Sequence, residues 1–173
     1  MTTPTFLLCD DKQLDAAEEV ASCATNLIGE NGDQFQLCEA HRVLGRIHRS
    51  KGETEKAISH FRAALEIATP SNWHNTQFWD HYSLAELFCD DGRFEDAQAH
   101  IEHAKPYAVD GPYYLAHMMW LQAIVWRKQH RLEEARSEVL RAADGFKKLE
   151  DAGDMELCME LLQEIQEELD API

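Results

Sequence analysis

Three arginines have the type and spacing to bind an anion. Arg42, Arg46 and Arg49 follow one another at i, i+4 and i+7, so on a helix they share one face. A guanidinium can hold a carboxylate through two parallel hydrogen bonds. The chain as a whole has 32 acidic and 16 basic residues and a formal charge of −16. This arginine stripe therefore runs against the charge of the chain and is the first candidate for a binding surface.

Histidines with a metal-binding spacing occur once. His100 and His103 lie at i, i+3, and His60 lies 40 residues before His100. A zinc ion needs three or four converging ligands, and the sequence shows no third ligand for this pair. These residues are therefore interpreted as plain surface histidines, and neither a metal site nor a cofactor is predicted.

The sequence offers no recognisable catalytic group. Cys89 precedes Asp90 and Asp91, and acidic neighbours raise a thiol pKa rather than lower it, so a packed thiol is favoured over a reactive one. No serine, cysteine or carboxylate pair has a companion base and oxyanion donor at a known spacing. The chain is therefore predicted not to be an enzyme. A helical enzyme with an unrecognised site is the alternative from another functional class.

Charge and cysteine usage exclude several further classes. A charge of −16 argues against nucleic acid and against anionic membrane surfaces, since both are bound by clustered lysine and arginine. The start, MTTPTFLLCDDK, has no basic flank or long apolar run, and no stretch approaches the roughly 20 apolar residues of a membrane helix. Five widely spaced cysteines indicate reduced thiols. We therefore expect a cytoplasmic location.

An internal repeat organises the chain. Four similar segments begin QLDAAEEVASCA, ETEKAISHFRAA, RFEDAQAHIEHA and RLEEARSEVLRA. Their leading alanines are 40, 40 and 38 residues apart, and a second alanine follows each one seven residues later. Small residues at this spacing on a helix predict close contact with a neighbouring helix. The two sets are Ala17, Ala57, Ala97 and Ala135, then Ala24, Ala64, Ala104 and Ala142.

The periodicity predicts helices throughout and no strands. Apolar residues recur at i, i+3, i+4 and i+7, as on the core face formed by Ala40, Val43, Leu44 and Ile47, and no sustained period-2 alternation occurs. At three helix-to-helix turns a left-handed residue is wanted, and these places hold Gly52, Gly92 and His130. Eight helices are predicted, at about 11–29, 34–50, 53–69, 75–90, 93–108, 112–129, 131–149 and 153–169.

These residues resemble the tetratricopeptide repeat (TPR) family, in a variant with repeats of 38–40 residues instead of about 34. The resemblance implies an all-α, right-handed solenoid of helical hairpins with about eight antiparallel helices. It also implies one domain over 1–173, with a half repeat at 11–29, repeats at about 34–69, 75–108 and 112–149, and a capping helix at 153–169. The residues that carry it are Leu44, Gly45, Gly52, Ala57, Phe61 and Ala64; Leu84, Ala85, Phe88, Gly92, Ala97, Ile101 and Ala104; and Ala123, Trp126, Ala135, Val139 and Ala142.

A narrower resemblance concerns the residues of the second and third repeated segments. The run EKAISHFRAALEIATPSNWHNTQFWDHYSLAELFCDDGRFEDAQAHIEHAK is similar to TPR arrays of basidiomycete fungi, which often follow an NB-ARC or NACHT nucleotide-binding module. That architecture implies the sensor region of a signalling ATPase. The chain itself has no G-x-x-x-x-G-K-[ST] loop, so any nucleotide chemistry would lie outside it.

The TPR resemblance also implies where a partner would bind. The first helix of each repeat lines a concave groove in this family, and the candidate groove residues are Arg42, Arg46, Arg49, Tyr82, Glu86, Trp120, Arg127 and Lys128. In one interpretation the arginine stripe is a solvated face that Glu39 and Glu86 partly neutralise. In the other, the arginines hold an acidic peptide, and Tyr82 and Trp120 anchor it.

The function expected from these features is a non-catalytic module that binds a protein or peptide segment, which would be acidic if the arginine stripe takes part. The runner-up is a self-associating scaffold that forms homo-oligomers through open repeat ends, since a terminal repeat that lacks its neighbour leaves an apolar face uncovered.

Overall fold

The computed structural model describes residues 11–29, 32–108 and 111–171, apart from the side chains of residues 11 and 12. Within these ranges the chain forms eight α-helices and no strand. Every helix boundary lies within one residue of the predicted position, which confirms the all-α prediction. The helices are α1 (Asp11–Ile28), α2 (Gln34–Ser50), α3 (Thr54–Ala68), α4 (His74–Asp90), α5 (Phe94–Ala108), α6 (Pro112–Lys128), α7 (Leu132–Lys148) and α8 (Ala152–Asp170).

The chain divides into two compact units, residues 1–73 and 74–173. In the first unit, α2 packs against both α1 and α3. Gly45 of α2 sits where a Cβ atom would come within 2.9 Å of the Phe61 ring on α3, and that ring is 1% exposed. A mid-helix glycine costs up to about 1 kcal/mol relative to alanine. The close approach of the two helices is the physical reason for this glycine.

The second unit contains α4 to α8, and each of these helices packs against the next. Ala97, Ala104, Ala135 and Ala142 are all at most 1% exposed, so the repeated alanines lie at close helix contacts as the sequence predicts. In the first unit Ala57 and Ala64 are equally buried. The α1 alanines depart from the pattern, because Ala17 is exposed and Ala24 is half-buried.

The three predicted left-handed turns are present. Gly52, Gly92 and His130 have φ angles of 72°, 75° and 58°. In each turn the amide of the following residue donates a hydrogen bond to the carbonyl five residues earlier, at 2.8–2.9 Å. This bond closes the end of the preceding helix, and it requires the positive φ that glycine adopts without steric cost. His130 meets the same geometry with a side chain, as Glu150 does after α7 at φ 58°.

The last helix buries one face and exposes acid on the other. Cys158, Leu161 and Ile165 lie in a core cluster with residues of α6 and α7. The outer face carries exposed Glu160 and Glu167. Helices that cap repeat arrays have this division, and the capping role of α8 stays a prediction. Among the described residues, no helix is both long and apolar enough to cross a membrane.

Candidate functional site

Helix α2 positions the arginine stripe. The carboxylate of Asp33 accepts hydrogen bonds from the amides of Phe35 at 2.9 Å and Gln36 at 3.3 Å, which satisfies donors at the start of the helix. The buried side chains of the helix fix its rotation about its own axis, and they include Ala40, Leu44 and Ile47. The arginines lie away from this buried face, as their spacing predicts.

The three arginines of the stripe have different surroundings. Arg42 is half-buried and donates from Nη1 to Glu39 Oε1 at 2.7 Å. Arg49 is also half-buried. Arg46 is exposed, and no ion pair or hydrogen bond joins its side chain to another residue in the part of the chain that the structure describes. Arg46 is therefore the member of the stripe whose guanidinium is available to a partner.

The prediction that Val43 belongs to the buried face of α2 is wrong. Its side chain is 36% exposed, whereas its neighbours Leu44 and Ile47 are 2% and 7% exposed. At about 100° per residue, Val43 lies roughly 60° around the helix from Arg46. The stripe is thus bordered by an apolar side chain.

The two aromatic candidates of the second unit are largely enclosed. Tyr82 is 7% exposed and contacts the rings of Phe78, Trp79 and His117. Trp120 is half-buried against the core cluster of α6, α7 and α8, and among the described residues nothing accepts a hydrogen bond from its Nε1. Both rings therefore contribute to packing, and Tyr82 offers little surface to a ligand.

Two of the three charged candidates of the second unit form ion pairs with other helices. Arg127 of α6 forms ion pairs with Glu164 and Glu168 of α8, the latter from Nη2 at 2.6 Å. Lys128 pairs with Asp90 of α4 at 2.7 Å. Glu86 is half-buried on α4. Whether these residues contact a partner stays a prediction, but a ligand of Arg127 would have to compete with two carboxylates of the same chain.

A second charged group lies in the first unit. His48 is 3% exposed, with Nδ1 at 2.6 Å from Glu53 Oε2 and Nε2 at 4.0 Å from Glu18 Oε1. Lys51 lies against Glu18 at 2.5 Å and also pairs with Asp15. These ligand types could hold a metal ion. However, the two glutamates face different nitrogens of one ring, and the Lys51 ammonium already neutralises Glu18, so the group is better explained as an ion-pair network that joins α1 to the end of α2.

Cys89 is a packed thiol, as the sequence predicts. Its side chain is 1% exposed on α4. The pKa of the Cys89 thiol is raised to about 11, chiefly by burial; Lys128 acts against this rise, and Asp90 and Glu86 add to it. The thiolate that a nucleophile requires is therefore scarce at pH 7.

The interpretation of His60 and His100 as plain surface histidines is wrong, because both are half-buried and each is paired with a histidine of another helix. His81 Nδ1 of α4 lies 2.9 Å from His100 Nδ1 of α5, and His41 and His60 form the same contact at 3.1 Å in the first unit. Sequence reasoning missed His41 and His81 because each lies on a different helix, 19 residues before its partner. The repeat spacing could have revealed them, since both positions recur after 40 residues.

Comparison with known proteins agrees with this architecture. Residues 40–72 match the tetratricopeptide repeat family. The crystal structure of BtubC (BKLC) from P. vanneervenii is similar to this chain with a TM-score of 0.67 and 15% sequence identity, over 94% of this chain and 77% of that one. No curated protein matches the chain significantly. The fold is thus all-α and TPR-like, and TPR repeats generally mediate protein–protein interaction.

Proposed function

We propose that this chain is a non-catalytic protein-interaction module that binds an acidic segment of a partner through the arginine stripe of α2. The observation that carries the proposal is the state of Arg46. It is an exposed guanidinium with no ion pair among the described residues, in a chain with a charge of −16. The exposed side chain of Val43 beside it supplies apolar contact area.

The chemistry of binding follows from these side chains. Arg46 would hold a carboxylate of the partner through two N–H···O bonds, the geometry in which arginine is strongest. Arg42 already holds Glu39, so a carboxylate of the partner would have to compete with Glu39 for it. An exposed ion pair contributes about 0–1 kcal/mol, and burial of Val43 under the partner would strengthen it by excluding water.

The experiment is capture from a lysate of the source organism on immobilised wild-type and Arg46→Glu chains, at low and high salt, with identification by mass spectrometry. Arg62→Glu is the matched control because Arg62 is exposed on α3 of the same unit and undergoes the same change of charge. We expect a protein that wild type and Arg62→Glu capture and Arg46→Glu does not. High salt should weaken its capture, because salt screens the attraction between exposed charges, with a Debye length of about 8–10 Å at 0.10–0.15 M. Equal capture by all three chains would contradict it.

The wider context that we propose is a cytoplasmic one, as the sensor region of a fungal signalling ATPase. It is supported by the similarity of residues 55–105 to fungal TPR arrays and by the reduced-thiol pattern of the cysteines. The sequence of the gene around this segment tests it. An upstream nucleotide-binding module would support the context, and a gene with no such module would remove it.

Self-association is the second candidate function, and exposed apolar residues on α1 favour it. Val20 is 70% exposed and Leu27 is 82% exposed, and their i, i+7 spacing puts them on one face. A second copy of the chain could cover this face. Sedimentation of wild type and Leu27→Asp distinguishes the candidates, since a dimer that Leu27→Asp dissociates would favour self-association and a monomer at all concentrations would exclude it.

A further inference from the structure

The second unit brings three imidazoles together from two helices. His81 of α4 and His100 of α5 have ring centroids 5.2 Å apart, and their Nδ1 atoms are 2.9 Å apart. His103, one turn after His100, has its ring centroid 5.4 Å from that of His81 and 6.1 Å from that of His100. The packing of α4 on α5 thus supplies the third histidine that the sequence pattern of α5 lacks.

Two of these separations, those of His81 from His100 and from His103, are close to those of imidazoles that share one metal ion, and the third is about 1 Å wider. With a Zn–N distance of about 2.0–2.1 Å and tetrahedral angles, the ring centroids of two ligating histidines lie roughly 5 Å apart, and their ligating nitrogens about 3.3 Å apart. At present the His81 and His100 Nδ1 atoms face each other across a hydrogen bond. To bind both nitrogens, an ion would have to displace the shared proton, and both rings would have to turn so that the two lone pairs converge on it. As the rings stand, the three sets of nitrogens do not meet at one point. A rotamer change at His103, which is exposed, would close the tripod.

We propose that His81, His100 and His103 form a binding site for one divalent transition-metal ion of the zinc type. Three imidazole nitrogens and one water would complete a four-coordinate site, which is the arrangement of open zinc centres. The site is distinct from the arginine stripe and does not depend on the proposed partner. It would clamp α4 to α5 within the second unit.

The surroundings hold two of these rings in position. Phe88 stacks on His100 at 5.3 Å, and the ring of Tyr107 lies parallel to His81 at 6.2 Å.

The first unit contains a natural comparison. His41 and His60 repeat the pair formed by His81 and His100, but the place that corresponds to His103 is Ala63. His48 stacks on His60 at 5.1 Å, yet its Nδ1 is bound to Glu53 and its ring is buried. This pair therefore lacks an available third ligand, and we expect metal binding in the second unit alone.

The test is a titration of the full-length chain, with no affinity tag, with Co²⁺ followed by its visible absorption, and then displacement by Zn²⁺. Wild type is compared with His103→Ala, and His60→Gln is the matched control. The expected result is one equivalent bound by wild type and by His60→Gln with equal affinity, and at least about tenfold weaker binding by His103→Ala. Because His103 is exposed, His103→Ala should keep the wild-type circular dichroism and melting temperature without metal.

Four results of the Co²⁺ titration would overturn the site. They are no binding by wild type, binding by His103→Ala with wild-type affinity, a loss in His60→Gln as large as that in His103→Ala, and thiolate-to-cobalt charge-transfer bands. Wild-type affinity of His103→Ala would mean that the ion binds another group, such as Glu18, His48 and Glu53. Charge-transfer bands would mean that it binds a cysteine. Zn²⁺ that fails to displace Co²⁺ would equally contradict a zinc-type site.

Discussion

The protonation state of His117 is determined mainly by burial. The ring of His117 contacts the rings of Trp79, Tyr113 and Phe146, at 5.1, 4.4 and 5.0 Å between centroids. Burial lowers the pKa of His117 to about 4 and raises the pKa of Asp154, whose Oδ2 is 3.2 Å from His117 Nε2. The distance alone would suit an ion pair, but both pKa directions favour the uncharged forms. His117 is therefore a half-buried histidine that is neutral at pH 7.

The first prediction follows from the pKa of His117. An unfolded histidine titrates near pH 6.5, so below that pH the unfolded chain binds a proton that the folded chain does not bind until about pH 4. The free energy of unfolding should fall between pH 7 and pH 5, and about 1–2 kcal/mol of that fall should come from this residue. Urea denaturation of wild type and His117→Gln at both pH values measures it. Equal losses in the two chains would show that folding does not lower the pKa of His117.

Residue types alone are a poor guide to which side chains are available. The sequence placed Arg46, Arg127 and Tyr82 in one candidate site, yet only Arg46 is exposed and without an ion pair in the described part of the chain. The ion pairs of Arg127 reach a helix that lies far along the chain, and a spacing within one helix carries no information about such a contact. The same limit concealed the pairing of His81 with His100.

At the scale of the helices, the repeated alanines determine how closely neighbours approach. The α5 residue Ala97 is 0% exposed, whereas Ala99, two positions later on the same helix, is exposed. A close-packed contact between helices leaves no space for a longer side chain. The difference between the two positions provides a matched pair of substitutions.

The second prediction uses that pair. Ala97→Leu should destabilise the chain by about 1–3 kcal/mol, because overpacking forces the surrounding helices apart. Ala99→Leu should change stability by less than about 0.5 kcal/mol, as surface substitutions usually do. Equilibrium denaturation of both variants gives the two values. Equal stabilities would mean that the alanine spacing does not mark a helix contact.

The third prediction concerns the turn between α6 and α7. His130 adopts a φ of 58°, a region where a residue with a Cβ atom is strained and glycine is not. His130→Gly should raise the free energy of unfolding by about 0.5–1 kcal/mol, after the extra flexibility of glycine in the unfolded chain is counted. Thermal denaturation of wild type and variant measures it, with Gly92→Ala as the opposite control. A lower melting temperature for His130→Gly would show that the imidazole itself stabilises the turn.

The helices were the most predictable feature of the chain, and the reason is local. Apolar periodicity, the left-handed positions such as Gly52 and the repeated alanines all act within one repeat, so they set helix ends to within one residue. Val43 was wrongly assigned to the buried face of α2. Periodicity shows how wide an apolar face is, but not how much of that face a neighbouring helix covers. Whether a charged side chain forms an ion pair or stays exposed depends on contacts between helices. The periodicity of a single helix does not contain that information.

At the scale of the whole molecule, part of the excess of acidic residues lies at a recurring position, the first turn of the second helix of each repeat. Several carboxylates lie in the first turns of α3, α5 and α7, each of which is the second helix of its repeat. The partial positive charge at the N-terminus of a helix favours them there. These residues are Glu55, Glu95, Asp96, Glu133 and Glu134. The positive charge of α2 is thus a local feature on a chain of charge −16. A partner with one acidic segment would be attracted to that face and repelled by the rest.

The most direct test of the account is the affinity of the chain, with and without Arg46, for an acidic segment of a captured partner. We would titrate that segment into wild type, Arg46→Glu and Arg62→Glu by calorimetry, with a melting curve for each chain. If Arg46 binds the partner, Arg46→Glu weakens binding by more than the roughly 1 kcal/mol of one exposed ion pair, while Arg62→Glu does not and all three melting temperatures agree. Equal affinities for the three chains would make the arginine stripe a solvated face, and a collapsed melting temperature for Arg46→Glu would make Arg46 a structural residue.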